Sequence, residues 1–206
     1  MLHDWQLIQT SWPWLAQALA VGYLIGSIPT GVILSRLMGL GDLRKIGSGN
    51  IGATNVLRTG NKVAAALTLV LDMVKGLIPV LVFLGWGDLA AQSAGVGAVL
   101  GHCLPVWLFF RGGKGVATFL GVIIGLYWPA GLLVCATWLA AAGLSRISSV
   151  GALAAAASAP IWLWILGRPE AVIAAAVLAA WVWLRHDQNL RRLATGTEPR
   201  IGAKRT

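Results

Sequence analysis

Residues 115–143 read GVATFLGVIIGLYWPAGLLVCATWLAAAG, a run of 29 residues without one charged side chain. A membrane-crossing helix needs about 20 apolar residues, so the run is long for one crossing and short for two. Trp128-Pro129 falls near its middle. A proline there removes a backbone donor and collides with the preceding turn. The run is therefore either one long kinked helix or a hairpin of two short ones, and the number of crossings depends on which.

The rest of the chain makes the membrane setting unavoidable. Of 206 residues, 57% are hydrophobic and 11% are charged, where soluble domains carry about a quarter charged residues. Such a chain has no polar coat, and it reads as one all-α bundle embedded in lipid. Its apolar runs lie near 14–37, 62–85, 89–110, 115–143, 149–166 and 170–185.

Charge decides the hairpin. Segment 36–62 carries Arg36, Arg44, Lys45, Arg58 and Lys62 against Asp42, for a net +4. Segment 185–206 carries Arg185, Arg191, Arg192, Arg200, Lys204 and Arg205 against Asp187 and Glu198, again +4. Arg111 with Lys114 and Arg146 mark two more basic segments, whereas Asp4, Asp88 and the Arg168/Glu170 turn mark the other side. Cytoplasmic loops collect Lys and Arg. All four basic segments share one side only if the chain turns at Trp128-Pro129, giving helices 115–128 and 129–143. The expected fold is thus a single polytopic domain over 1–206. It has about seven transmembrane helices, two of them short, with the N-terminus out and the C-terminus in.

The net charge of +9 would suggest nucleic acid in a soluble protein. Here it is spent on topology, and no nucleic-acid partner is expected. Cys103 and Cys135 sit inside apolar runs without metal-like spacing, and no metal or cofactor is expected. The start of the chain, with His3 and Asp4, lacks the basic region of a cleavable signal. Trp12, Trp14, Trp86, Trp107, Trp128, Trp162 and Trp164 fall near helix ends, as an interfacial belt would. Gly22 with Gly26, and Gly121 with Gly125, have the spacing that lets helices touch closely.

The chemistry gathers in four polar segments on the expected cytoplasmic side. The first reads Gly47-Ser48-Gly49-Asn50-Ile51-Gly52-Ala53-Thr54-Asn55-Val56-Leu57-Arg58. Glycines let consecutive N–H groups turn toward an anion. Ser48, Asn50, Thr54 and Asn55 add neutral donors, and Arg58 can clamp a phosphate through two hydrogen bonds. The spelling also fits G-x-G-x-x-G, but no strand precedes it, which excludes a dinucleotide fold. The second segment runs from Gly101-His102 and Pro105 to Arg111-Gly112-Gly113-Lys114-Gly115. It lacks the Ser or Thr after the lysine that a nucleotide-binding P-loop needs. What remains is a lysine at the head of a helix, where free N–H groups favour a phosphate.

Asp72 and Lys75 lie three residues apart inside the second apolar run, either as a neutralised structural pair or as a functional one. His102, at the membrane edge, is a ligand binder or a core histidine. Ser149 and the group His186, Asn189 and Arg192 complete the set, the last three near one another on one face if the final helix continues through them.

These motifs resemble the bacterial acyl-phosphate:glycerol-3-phosphate acyltransferase (PlsY) family. The likeness rests on Ser-Gly-Asn-Ile-Gly-Ala-Thr-Asn-x-x-Arg, on Gly-His-x-x-Pro followed by Gly-Gly-Lys-Gly-Val-Ala-Thr, and on a terminal His-x-x-Asn-x-x-Arg-Leu. It spans roughly residues 20–202. The resemblance implies a seven-helix enzyme of the bacterial inner membrane with its active site facing the cytoplasm. That enzyme would move a fatty acyl group from acyl phosphate to the sn-1 hydroxyl of glycerol 3-phosphate, an early step of phospholipid synthesis. Carried onto matching positions, Ser48, Arg58, Lys114 and His186 would be catalytic. Gly49, Asn50, Thr54, Asn55, His102, Gly112, Gly113, Ser149, Asn189 and Arg192 would bind substrate. Asp187 stands where the family often has Arg, and Ala152 where it usually has a second Ser.

Acyl phosphate is an activated mixed anhydride, so no enzyme nucleophile is needed, and the chain spells no nucleophile–base triad. Holding two anionic reactants close demands Arg, Lys and backbone donors, with proximity and charge stabilisation as the main catalytic terms. In the expected arrangement Ser48, Arg58 and Lys114 hold acyl phosphate, while Ser149, His186, Asn189 and Arg192 hold glycerol 3-phosphate. His186 or a substrate phosphate takes the hydroxyl proton. The His-x-x-x-x-Asp spelling of thioester-using acyltransferases is absent. Expected partners are the two substrates, membrane lipids and, transiently, the enzyme that makes acyl phosphate. The competing reading is a transporter of a small organic phosphate, for which Asp72 and Lys75 would serve as membrane-embedded charges.

Overall fold

A computed structural model describes residues 2–201, with side chains described from Trp12 onward; Lys204 and Arg205 of the C-terminal charge count lie outside the described residues. All regular structure among the described residues is helical: α1 (Leu2–Gly26), α2 (Thr30–Leu37), α3 (Ala53–Leu57), α4 (Lys62–Leu84), α5 (Asp88–Cys103), α6 (Val116–Leu126), α7 (Trp128–Ser145), α8 (Ser148–Ile165), α9 (Val172–Leu184) and α10 (Asp187–Ala194). Among the described residues, five stretches are long and apolar enough to cross a membrane: Trp12–Leu37, Lys62–Leu84, Asp88–Leu108, Trp128–Ser145 and Ser148–Ile165. Val116–Leu126 and Pro169–Leu184 are shorter apolar helices.

The 115–143 run is two helices, as the charge pattern requires. The break falls at Tyr127, whose backbone is extended (φ −159°, ψ 102°), and Pro129 occupies the first turn of α7. The expected boundary at Trp128-Pro129 shifts for a physical reason. Proline is tolerated in a first turn, where its missing N–H would have no partner anyway. The second half also reaches 18 residues, long enough to cross rather than a short piece.

The expected single helix at 14–37 is likewise two, α1 and α2, parted at Ser27-Ile28-Pro29. The run stays apolar through the break, but a residue before proline is driven out of the helical region.

The chain divides into two compact units, one up to Leu126 and one from Tyr127 onward. In the first, α1 packs on α5 and α4 on α6. A Cβ at Gly22 or Gly26 would lie 2.0 or 2.1 Å from the carbonyl oxygen of Ala94 or Ala98, and one at Gly97 or Gly101 would lie 2.1 Å from that of Leu19 or Tyr23. Only glycine permits so close an approach. The contact partners advance by four on both helices at once, so α1 and α5 run parallel. Helices α4 and α6 are parallel too: Gly76 meets Thr118 and, farther along both, Val80 meets Gly125. With the tight Gly85–Gly87 turn reversing the chain between α4 and α5, these directions alternate as successive crossings must. In the second unit α7 packs on α8 and α8 on α9.

Candidate active site

The first polar segment is built around one side chain. Asn55 is buried, and both hydrogens of its amide are given away, to Leu43 O at 2.9 Å and Asn50 O at 2.7 Å. Its Oδ1 accepts from Ser48 N–H at 3.2 Å. Asn50 Oδ1 in turn accepts from Gly52 N–H at 3.3 Å. Asn55, expected to donate to a substrate, is therefore a brace that holds the loop shape. Upstream, Asp42 takes a forked pair of bonds from Arg44 at 2.9 and 3.0 Å. The hydrogen bonds from Arg44 hold its carboxyl down to about 2.

The braced loop presents Ser48, Gly49, Thr54 and Arg58 at the surface. Gly47 is left-handed (φ 56°), and a Cβ there would lie 2.6 Å from Arg58 Nη1. The guanidinium thus folds back over the glycine turn, beside the Ser48 hydroxyl's own loop. A forked cation over turned backbone suits a phosphate.

The second segment lies deeper than the sequence suggests. Helix α5 has 16 residues, about 24 Å at 1.5 Å per residue, and α4 has 23. The short α5 ends with His102 buried beside Asp72, its Nδ1 3.6 Å from Asp72 Oδ1. Asp72 lies ten residues into α4, about 15 Å from its start. His102 accordingly packs inside the unit and is not a surface ligand.

From there the chain doubles back. Gly112 N–H donates to Cys103 O at 3.2 Å and Gly113 N–H to His102 O at 3.1 Å. These bonds satisfy carbonyls that the end of α5 would otherwise leave open. Gly112 and Lys114 are half-buried, Gly113 is buried, and Lys114 stands two residues before α6.

Asp72 and Lys75 form an ion pair at 2.8 Å, both buried. Thr30 Oγ1 donates to Asp72 at 2.5 Å and Lys75 Nζ donates to Ile28 O at 2.9 Å. Both charges are thus satisfied inside the unit, as the neutralised pair of the sequence reading would be.

The second unit contributes a separate constellation. Ser149 lies in the first turn of α8, His186 at the junction of α9 and α10, and Asn189 and Arg192 on α10. Ser149 Oγ donates to Glu198 Oε1 at 2.7 Å, Asn189 Nδ2 to the same oxygen at 2.5 Å, and Arg192 Nε to Glu198 Oε2 at 2.6 Å. Ser149, Asn189 and Arg192 therefore meet around a carboxylate that the sequence reading passed over, whereas the helix does not continue through His186, which precedes α10. Burial acts to raise the Glu198 carboxyl's pKa. The bonds from Asn189, Ser149 and Arg192, with the Arg192 charge, outweigh that and leave it below its ordinary value.

His186 is buried, with Nδ1 2.7 Å from Val182 O. That contact assigns the proton to Nδ1 and makes Nε2 the basic nitrogen of the neutral ring. The tail that supplies Glu198 is itself tied down, with Ile201 N–H donating to Arg146 O at 2.7 Å.

Comparison with known proteins agrees in fold and sequence. Residues 16–196 match the family model described as glycerol-3-phosphate acyltransferase. A curated glycerol-3-phosphate acyltransferase of Cereibacter sphaeroides (strain ATCC 17025 / ATH 2.4.3) is 59% identical over 185 residues, 89% of this chain and 88% of that protein. One from Roseobacter denitrificans is 54% identical over 200 residues, 97% of this chain and all of the other. A crystal structure of PlsY (YgiH), an integral membrane glycerol 3-phosphate acyltransferase, in its glycerol 3-phosphate form superposes with a TM-score of 0.87. It is 38% identical, covering 91% of this chain and 96% of that one. The lysophosphatidic acid form gives 0.85 at 37% identity, covering 91% and 95%.

Proposed function

The chain belongs to the glycerol-3-phosphate acyltransferase family, and on that premise we propose that its acyl donor is acyl phosphate and its acceptor atom the sn-1 hydroxyl. It is a multi-pass membrane enzyme that acylates glycerol 3-phosphate in phospholipid synthesis. The reaction so written releases lysophosphatidic acid and inorganic phosphate. The active site faces the cytoplasm of a bacterial inner membrane, with the N-terminus out and the C-terminus in. The enzyme that makes acyl phosphate is its transient partner. The distribution of Arg and Lys supports that orientation.

One observation carries the proposal: each unit offers its own set of anion donors, as a reaction between two phosphate-bearing molecules needs. Arg58, Ser48 and Lys114 hold the acyl phosphate, with Gly49, Asn50 and Thr54 at the same loop; the Gly112 and Gly113 N–H groups, already given to Cys103 O and His102 O, shape the turn that carries Lys114. Positioned cations stabilise charge on the acyl oxygen and the leaving phosphate without an enzyme nucleophile.

Arg192 meets Glu198 through Nε, and its terminal nitrogens grip the phosphate of glycerol 3-phosphate. Ser149 donates its one hydrogen to Glu198. Toward substrate it can only accept, and it orients a glycerol hydroxyl. Asn189 and His186 complete the acceptor subsite.

Purified enzyme in detergent should release inorganic phosphate from acyl phosphate in step with lysophosphatidic acid, and should leave acyl-CoA untouched. Equal acylation from acyl-CoA would remove acyl phosphate as the required donor. The proton acceptor is settled by His186→Gln. Turnover at saturating substrate should fall if Nε2 is the base, and near-normal turnover would assign the proton to a substrate phosphate.

A further inference from the structure

The buried cluster beneath the Gly112-Gly113-Lys114 loop joins three parts of the first unit. Asp72 Oδ1 receives Lys75 Nζ at 2.8 Å and Thr30 Oγ1 at 2.5 Å, and lies 3.6 Å from His102 Nδ1. Lys75 also binds Ile28 O. One carboxylate oxygen thus links the α1–α2 break, α4 and the end of α5. Stability alone would not require this, since apolar side chains of similar volume often replace buried ion pairs without loss.

The far side of His102 shows what the cluster is for. A Cβ at Gly113 would lie 2.1 Å from His102 Nε2 and 3.0 Å from both ring carbons beside it. The imidazole is therefore wedged between Asp72 and the backbone of the residue that precedes Lys114. The loop is also pinned to the same helix end by Gly113 N–H on His102 O. Four residues after Lys114, Thr118 O is in close contact with Gly76, the residue after Lys75. Lys114 is suspended between two points that both rest on one turn of α4.

We propose that Asp72 and His102 are positioning residues that set the height and direction of Lys114 through the Gly113 backbone. This rests on the assignment of Lys114 to a substrate phosphate. Neither residue touches the reacting atoms. Asp72 fixes the imidazole, the imidazole fixes Gly113, and Gly113 fixes where the ammonium stands.

The test is steady-state kinetics on the purified full chain, with each substrate varied in turn and unfolding followed by tryptophan fluorescence. His102→Ala should raise KM for one phosphate substrate about tenfold or more, the cost of a misplaced binding group, and leave the other KM unchanged. A merely structural role would lower kcat through the folded fraction and move neither KM. Gly113→Ala should show the same split. Added to His102→Ala it should cost little more, because the space left by the ring takes the methyl group; contacting residues are non-additive in this way.

His102→Gln is the second variant, should His102→Ala be too unstable to purify, and should show the same split to a smaller degree. Asp72→Asn combined with Lys75→Gln removes both charges together and should reproduce it as well. Unchanged KM values in folded His102→Ala or His102→Gln protein, or fully additive losses with Gly113→Ala, would overturn the role. A crippled Lys114→Ala beside a normal His102→Ala sinks the positioning role alone, whereas a fully active Lys114→Ala sinks the reading of Lys114 itself.

Discussion

Lys114→Ala should lower kcat/KM by roughly 10²–10³, the loss seen when one donor to a developing oxyanion is removed, while the protein unfolds at an unchanged or slightly higher temperature. The second half of that expectation follows from position. Lys114 stands two residues before α6, and a cation at a helix N-terminus opposes the helix dipole. It is half-buried in an apolar unit, where a charge is costly to keep. The loop itself is held by the Gly112 and Gly113 backbone bonds. A cation kept at the head of a helix against that cost is what the proposed phosphate clamp calls for. The measurement is phosphate release by detergent-solubilised protein, with the thermal transition recorded on the same sample. Full activity would refute the clamp.

The contrast with Asn55 marks where sequence reading stopped. Composition identified both residues as donors beside a membrane, and spacing placed both in anion-friendly loops. Only geometry distinguishes them, because the two amide hydrogens of Asn55 are consumed by Leu43 O and Asn50 O. Helix breaks were legible where charge spoke. The break in the 115–143 run followed from basic segments on either side, but the one at Ser27-Ile28-Pro29 did not. The chain there stays apolar, and Pro29 was the only warning. The depth of His102 was hidden for a different reason. Hydropathy gives an apolar run near 89–110, whereas α5 ends at Cys103 and the chain passes through a 3₁₀ turn at Val106–Leu108. The apolar residues beyond the helix end disguised a chain that had already turned back.

Glu198 escaped because a lone acid in a basic tail reads as a solvated charge. It also generates the other large effect: Glu198→Gln should lower kcat/KM by about 10²-fold, mainly through KM for glycerol 3-phosphate. Ser149, Asn189 and Arg192 all donate to its two oxygens, and its side chain is only 7% exposed. A glutamine of the same shape keeps one acceptor oxygen and turns an N–H₂ group toward at least one of those donors. Two donors facing each other leave both unsatisfied, at about 1–3 kcal/mol apiece and more where one is charged. Arg192 and Asn189 then lose the partner that aims them.

The pH sign is fixed by the same bonds. The folded carboxyl lies below its ordinary value of 4.5, so its contribution is fully present at neutral pH and is lost as pH falls through the folded value. The thermal stability of wild type should therefore fall more steeply on acidification below about pH 4.5 than that of Glu198→Gln, which has no proton to gain there. Glu198→Asp, with the charge kept and the reach shortened, should recover part of the acid dependence but less of the KM. Identical acid profiles for wild type and Glu198→Gln, together with an unchanged KM for glycerol 3-phosphate, would show that the carboxylate does not organise this subsite.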